Sequence, residues 1–323
     1  MQNFSPVRNG LGIAFAKAAV LLSLAESVAG QTQLPNKAPT QTPFQNPSQA
    51  PFQTPTPAQP EGRFASVNGM QMYFEVYGEG RPLVLLHGFK ASSQIWKPII
   101  LDFAKQHRVI VPDLRGHGRS TNPTKQFTHR QAALDVFGLL DLLKIDRFNA
   151  IGISSGGMAL LHMATQRPER IEAMILIGAT AYFPEESRAI MGQTTIESMT
   201  PEEWQKAREI HKHGDEQIRD LVRQFQALKD SYDDMNFTPP FLSKIRASTL
   251  IIHGDRDPFF PVQMALEMYR AMPHAYLWVV PNGGHVPVFA DPASFVKTTM
   301  EFLQVGGSRE NVPAPVPKPG SGR

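Results

Sequence analysis

A mostly parallel α/β sheet with helices on both faces is the fold this sequence predicts, and three observations predict it. Short apolar runs without alternation recur at Pro82–Leu86, Val109–Val111 and Ile171–Ile177, the pattern of strands buried on both sides. Segments of helical periodicity lie between such runs, as over His129–Leu143. A strand–turn–helix junction carries Gly152-Ile153-Ser154-Ser155-Gly156. Repeated β-α alternation places the sheet between two helical layers.

The elements follow in chain order. Met70–Tyr77 alternates polar and apolar residues, as a half-buried strand does. Pro82–Leu86 and Val109–Val111 are the first buried strands, and His129–Leu143 is the helix after them. Arg147–Ile151 leads into the glycine-flanked serine, and Gly157–Ala164 continues as a good helix former to about Arg167. Ile171–Ile177, Leu250–His253 and Tyr276–Val280 complete the strands, with a helix over about Pro261–Ala271 between the last two. Asp291-Pro292 is a cap-plus-proline start for a final helix. From about Tyr182 to Phe241 no strand pattern appears, only charged helical pattern such as Pro201–Leu228. Inserted between two core strands, this stretch (about 182–243) reads as a helical cap over the carboxyl edge of the sheet, where open α/β sheets bind ligands.

The ends differ from the middle. Arg8 and Lys17 precede the apolar run Ala18–Leu24, and Ser27-Val28-Ala29-Gly30 follows, the layout of a secretory signal over residues 1–29. Residues 30–62 are dense in Pro, Gln, Thr and Ala and read as an extended linker; residues 306–323 form a Pro/Gly-rich tail. The folded unit is therefore 63–305, and the protein is expected to be secreted or periplasmic, or cytoplasmic should the leader reading fail. The chain of 323 residues carries a formal net charge of +3 with scattered Lys and Arg, so no basic stripe marks a nucleic-acid partner. No apolar run reaches the roughly 20 residues a membrane-spanning helix needs. The absence of cysteine excludes thiolate catalysis, disulfides, Cys-ligated zinc and a Cys-linked lipid anchor.

A serine hydroxyl needs a base, and the base needs an orienting group. Both are supplied downstream of Ser154. Leu250–Pro258 runs from a strand into a loop with two carboxylates, Asp255 and Asp257, and Asn282–Pro287 presents His285 after the next strand. The order is serine, aspartate, histidine.

With Leu85-Leu86-His87-Gly88-Phe89, Asp113–Ser120, the Ser154 turn, Gly254-Asp255-Arg256-Asp257 and Gly284-His285 in this order, the chain resembles the α/β-hydrolases over nearly all of 64–304. The resemblance implies an α/β-hydrolase fold with a helical cap, of the serine esterase-like kind. It implies Asp257 as the orienting carboxylate and Asp255 as a structural group bonding the loop backbone. It implies the amides of Phe89 and Ser155 as an oxyanion hole, and it gives the His87 ring a structural role. His117 is read as a brace for its glycine-rich turn. Asp230, Asp233 and Asp234 are read as solvated charges, and His211 and His213 as exposed on a cap helix, their spacing unsuited to a shared metal. The expected substrate is a small-molecule carboxylic ester, with neither metal nor cofactor. Carbon–carbon hydrolysis, enol-lactone opening, perhydrolysis and a non-catalytic binding role remain open beside it.

Overall fold

The computed structural model describes residues 62–306. The leader, linker and tail expected over 1–29, 30–62 and 306–323 lie outside them, apart from Gly62 and Gly306. Eight strands form one sheet: β1 (Arg63–Val67), β2 (Met70–Tyr77), β3 (Arg81–Leu86), β4 (His107–Pro112), β5 (Phe148–Ile153), β6 (Ile171–Ile177), β7 (Ser248–Gly254) and β8 (Ala275–Val280). Their spatial order is β1-β2-β4-β3-β5-β6-β7-β8. Only β2 runs against its neighbours; the six strands from β4 to β8 are parallel. This is the mostly parallel sheet that the apolar runs predict.

Strand β1 carries no strand signal of its own, because its outward residues are largely exposed and show no apolar alternation. The signal was next to it. Asn68 and Gly69 both adopt positive φ, 43° and 76°, the two-residue turn that an Asn-Gly pair favours between antiparallel strands, and Val67 pairs with Met70 across it.

Alternate residues of the central strands enter two separate cores, because successive side chains point to opposite faces. Val84 and Leu86 of β3 and Met174 and Leu176 of β6 pack with α2 (His129–Leu142), α3 (Ser155–Gln166) and α8 (Val262–Ala271). Leu83, Leu85, Ile175 and Ile177 face the other way, onto α1 (Ile100–Ala104) and α9 (Pro292–Gly306) through Phe103 and Phe295. The rings of Phe103 and Phe295 meet edge to face at 6.3 Å.

Between β6 and β7 come α4 (Glu185–Gln193), α5 (Pro201–Ile210), α6 (Asp215–Ala227) and the single turn α7 (Pro239–Leu242). The stretch read as one helical pattern, 201–228, is two helices. Helix α5 starts on a capping box of Thr200 and Glu203 and ends at His211, and Gly214 at φ 80° turns the chain into α6. The ends of the excursion meet at its neck, where Tyr182 bridges Asn236 and the Phe237 amide donates to the Ala181 carbonyl at 3.0 Å.

Strand β3 has β4 on one side and β5 on the other. The chain reverses its winding direction there, and a crevice opens at the carboxyl ends of β3 and β5. Ser154, Phe89, Asp257 and His285 all lie in segments that leave a strand at that edge.

Candidate active site

Ser154 stands between β5 and α3 at φ 50°, ψ −116°. This backbone conformation costs a non-glycine residue about 1–3 kcal/mol. Local packing holds it: the Ser154 amide donates to the Ile177 carbonyl at 2.7 Å, and its carbonyl accepts from Met158 at 2.9 Å. The flanking glycines are required by space. A Cβ on Gly152 would stand 2.5 Å from the Gly157 nitrogen, and one on Gly156 would strike the carbonyl oxygens of Leu86 and His87.

His285 reaches Ser154 from the loop after β8. Its Nε2 lies 2.9 Å from Ser154 Oγ and its Nδ1 lies 2.8 Å from Asp257 Oδ2. The Asp257 side chain is fully buried, whereas His285 keeps 13% of its side-chain surface exposed. Asp257 is fixed from behind, because Oδ1 accepts the amides of Phe259 at 2.8 Å and Phe260 at 3.1 Å. The loop is bonded by Asp257 itself and not by Asp255, whose Oδ1 is buried with no partner among the described residues. The expectation for Asp255 is therefore corrected. Two residues into the Asp257 turn the backbone already folds back, so the second carboxylate, not the first, meets the free amides.

Phe89 and Ser155 bring their amides to the same edge. Leu86 of β3 is in register with Gly152 of β5, and a Cβ on Gly88 would lie 3.4 Å from Ser154 Cβ. Ser155 opens α3, so its N–H has no partner within the helix, and the Phe89 amide makes no bond to a backbone carbonyl among the described residues.

His87 does what the resemblance implies: Nδ1 donates to the Gly88 carbonyl at 2.7 Å and Nε2 accepts the Leu114 amide at 2.9 Å. His117 braces its turn through the Arg115 carbonyl at 2.8 Å. His211 departs from expectation. It is 3% exposed, accepts the Gly118 amide at 3.1 Å and packs against His117. Burial pushes its pKa down to about 3, with the neighbouring His87 adding to the shift. Burial also pushes His87 and His117 below the usual histidine range. His213 is exposed, as expected, but it lies in the turn between α5 and α6 and not on a helix.

Asp234 departs further. It is buried, and its carboxylate receives His129 Nδ1 at 2.6 Å. Nothing in the sequence marks this pair, whose members are 105 positions apart. His129 and His162, both buried beside Asp234, carry no motif that singles them out.

A chain of aromatic rings runs from the loop after β3 to the histidine: Phe89 to Phe225 of α6 at 5.4 Å, Phe225 to Phe259 at 6.2 Å, and Phe259 to His285 at 5.1 Å. Lys90 Nζ lies 4.8 Å over the Phe225 ring. Burial lowers its pKa, opposed by Glu203. Among the described residues no group of three or more His, Cys, Asp or Glu is placed to hold a metal, and no helix is long and apolar enough to cross a membrane.

Residues 81–224 match the family model described as alpha/beta hydrolase fold. The chain is 22% identical over 262 residues to a 2-hydroxy-6-oxo-6-(2'-aminophenyl)hexa-2,4-dienoic acid hydrolase of Metapseudomonas resinovorans, covering 75% of this chain and 90% of that protein. It is 29% identical over 251 residues to the human serine hydrolase BPHL, covering 74% and 85%. The enol-lactonase of Burkholderia xenovorans superposes with a TM-score of 0.63 at 25% identity, over 75% of this chain and all of that one. Sheet order, family model and relatives agree: the chain belongs to the α/β-hydrolase superfamily and is an enzyme of that kind.

Proposed function

We propose that the protein is a serine hydrolase that cleaves carboxylic esters of small to medium apolar acids. One observation carries the reading: a continuous hydrogen-bonded line from Ser154 Oγ through His285 to the buried Asp257 carboxylate. In this reading His285 Nε2 takes the Ser154 proton as Oγ bonds to the ester carbonyl carbon. The carbonyl oxygen becomes an oxyanion facing the Phe89 and Ser155 amides, which are preorganised donors. His285 then protonates the departing alcohol, and the acyl group stays on Ser154. Water, deprotonated by His285, releases the acid and restores the serine. Asp257 holds the Nδ1–H tautomer and offsets the charge of the imidazolium. The rings of Phe89, Phe225 and Phe259 supply apolar surface beside the reacting carbonyl, which favours an apolar acyl group.

The test is hydrolysis of p-nitrophenyl acetate and butyrate by the protein and by Ser154→Ala. Turnover confined to the unsubstituted protein is expected; equal rates in both would sink the reading. Labelling by a fluorophosphonate at Ser154 of the folded protein separates an enzyme from a binding protein of this fold.

A second reading keeps the residues and changes the bond. The dienoic acid hydrolase and the enol-lactonase among the similar proteins favour carbon–carbon or enol-lactone cleavage, and perhydrolysis needs only a peroxide in place of water. A panel of aryl esters, enol lactones and vinylogous diketones ranks these by kcat/KM. Export is part of the proposal as well, motivated by the basic, apolar and small-residue order of residues 1–29. Recovery of the protein only from the cytoplasm, with residues 1–29 still attached, would reject it.

A further inference from the structure

The two adjacent serines at the sharp elbow between β5 and α3 each face a histidine–aspartate pair. Ser155 Oγ lies 3.0 Å from His129 Nε2, and His129 Nδ1 lies 2.6 Å from Asp234 Oδ2. The spacing resembles that of the Ser154 line, but this second set is sealed: His129 is 0% exposed, Ser155 4% and Asp234 7%. Asp234 is tied further. Its Oδ2 also accepts the His129 amide at 2.7 Å, Oδ1 accepts the Arg130 amide at 3.0 Å, and its main-chain carbonyl accepts His162 Nε2 at 2.7 Å. Against the desolvation that burial imposes, the hydrogen bonds from His129 and His162 hold its carboxyl well below the usual carboxylate range. The carboxylate takes the Nδ1 side of the His129 ring, and the Nε2 side is hydrogen-bonded to the Ser155 hydroxyl.

A buried relay of this kind cannot act on substrate directly, but it acts on the geometry of one peptide group. The Ser154 carbonyl and the Ser155 N–H belong to the same plane. That plane follows a residue in a strained conformation, so it relaxes by rotation unless held at both ends. The carbonyl end is held by the Met158 amide at 2.9 Å. The Ser155 side chain is the remaining handle on the other end, and it is fastened to His129.

We propose that Asp234, His129 and the Ser155 hydroxyl are positioning residues that fix the direction of the Ser155 N–H in the oxyanion hole. The inference rests on the reading of Ser154 as nucleophile. Because Asp234 lies in the segment that returns from the helical excursion to the sheet, the donor is set only with that segment docked.

The experiment compares wild type, S155A, H129Q and the double variant for p-nitrophenyl butyrate turnover and for inhibition by an alkyl trifluoromethyl ketone, which forms the tetrahedral oxyanion. S155A keeps the amide and removes only the handle. Loss of an entire oxyanion donor costs on the order of 10²–10³ in rate, so a misaimed donor is expected to lower kcat about tenfold. KM should stay within about twofold, and the ketone should bind about tenfold more weakly. The double variant should be no slower than the slower single, because the two groups act as one unit. A kcat for S155A within twofold of wild type overturns the inference, as does a loss expressed as raised KM. So does complete loss of turnover with fluorophosphonate labelling abolished, which would make Ser155 the nucleophile. Turnover surviving in S154A would instead overturn the reading of Ser154 itself. Thermal melting of H129Q reports any loss of folding, and S155A answers the question where H129Q does not fold.

Discussion

The carbonyl oxygen of His285 occupies the space where a side chain on Gly178 would stand, and Gly178 itself adopts φ 55°. Gly178 follows β6, so the end of one strand sets how closely the histidine loop approaches Ser154. Gly178→Ala adds a methyl into that carbonyl and a left-handed strain of about 1–2 kcal/mol. The expected outcome is a lower melting temperature together with a kcat reduced more than tenfold, checked by calorimetry and ester kinetics on the same sample.

Asp257 serves the histidine through one oxygen and the loop through the other, so its two functions separate by substitution. Asp257→Asn retains an acceptor for the Phe259 and Phe260 amides but no longer supplies the charge that fixes the His285 tautomer. A fall in kcat on the order of 10⁴ with little change in stability is expected. Asp257→Ala should lose activity to the same degree and unfold at lower urea, since each buried amide left unpaired costs about 1–3 kcal/mol. Equal urea midpoints for the two variants would contradict this division.

The buried His211 makes stability depend on pH. Its folded pKa of about 3 lies below the unfolded value of about 6.5. Between these values the unfolded chain binds the extra proton, and stability rises with pH. The contribution is therefore complete above about 6.5 and is lost progressively as the pH falls toward 3. His87 and His117 shift in the same direction and steepen the decline, while Lys212 and Lys90 add repulsion to a protonated His211. His211→Gln should flatten the fall in melting temperature between pH 6.5 and 4, measured against wild type in matched buffers.

Two glycines beside the site should respond oppositely to alanine. Gly156→Ala drives a methyl into the Leu86 and His87 carbonyls and should prevent the elbow from forming, seen as insoluble or unfolded protein. A Cβ on Gly284 meets nothing within 4 Å; Gly284→Ala should stay within about 0.5 kcal/mol of wild type.

What sequence could reveal here divides by the range of the interaction. Apolar runs without alternation located the buried strands, because a strand covered on both faces has no choice of composition. The serine turn was legible because strain, close approach and helix start act within five residues. By sequence Asp234 reads as solvated, since a carboxylate in a charged stretch normally is; its histidine partner comes from the start of α2, far along the chain. His211 was misread for the same reason: its surroundings are charged along the chain but apolar and histidine-rich in space. That Asp257 bonds the loop as well as His285, leaving Asp255 without the loop contacts expected of it, depends on how the turn folds back, which residue types alone do not encode.

The neck at Tyr182 and Asn236 makes the helical excursion a cassette whose two ends touch. Such a unit can be traded between relatives without resetting the sheet, a practical route to new substrate ranges. Here the useful cut lies inside the neck on the return side, before Asp234. A graft that replaces this residue would import a new pocket wall and, in the same stroke, strip the carboxylate from behind His129.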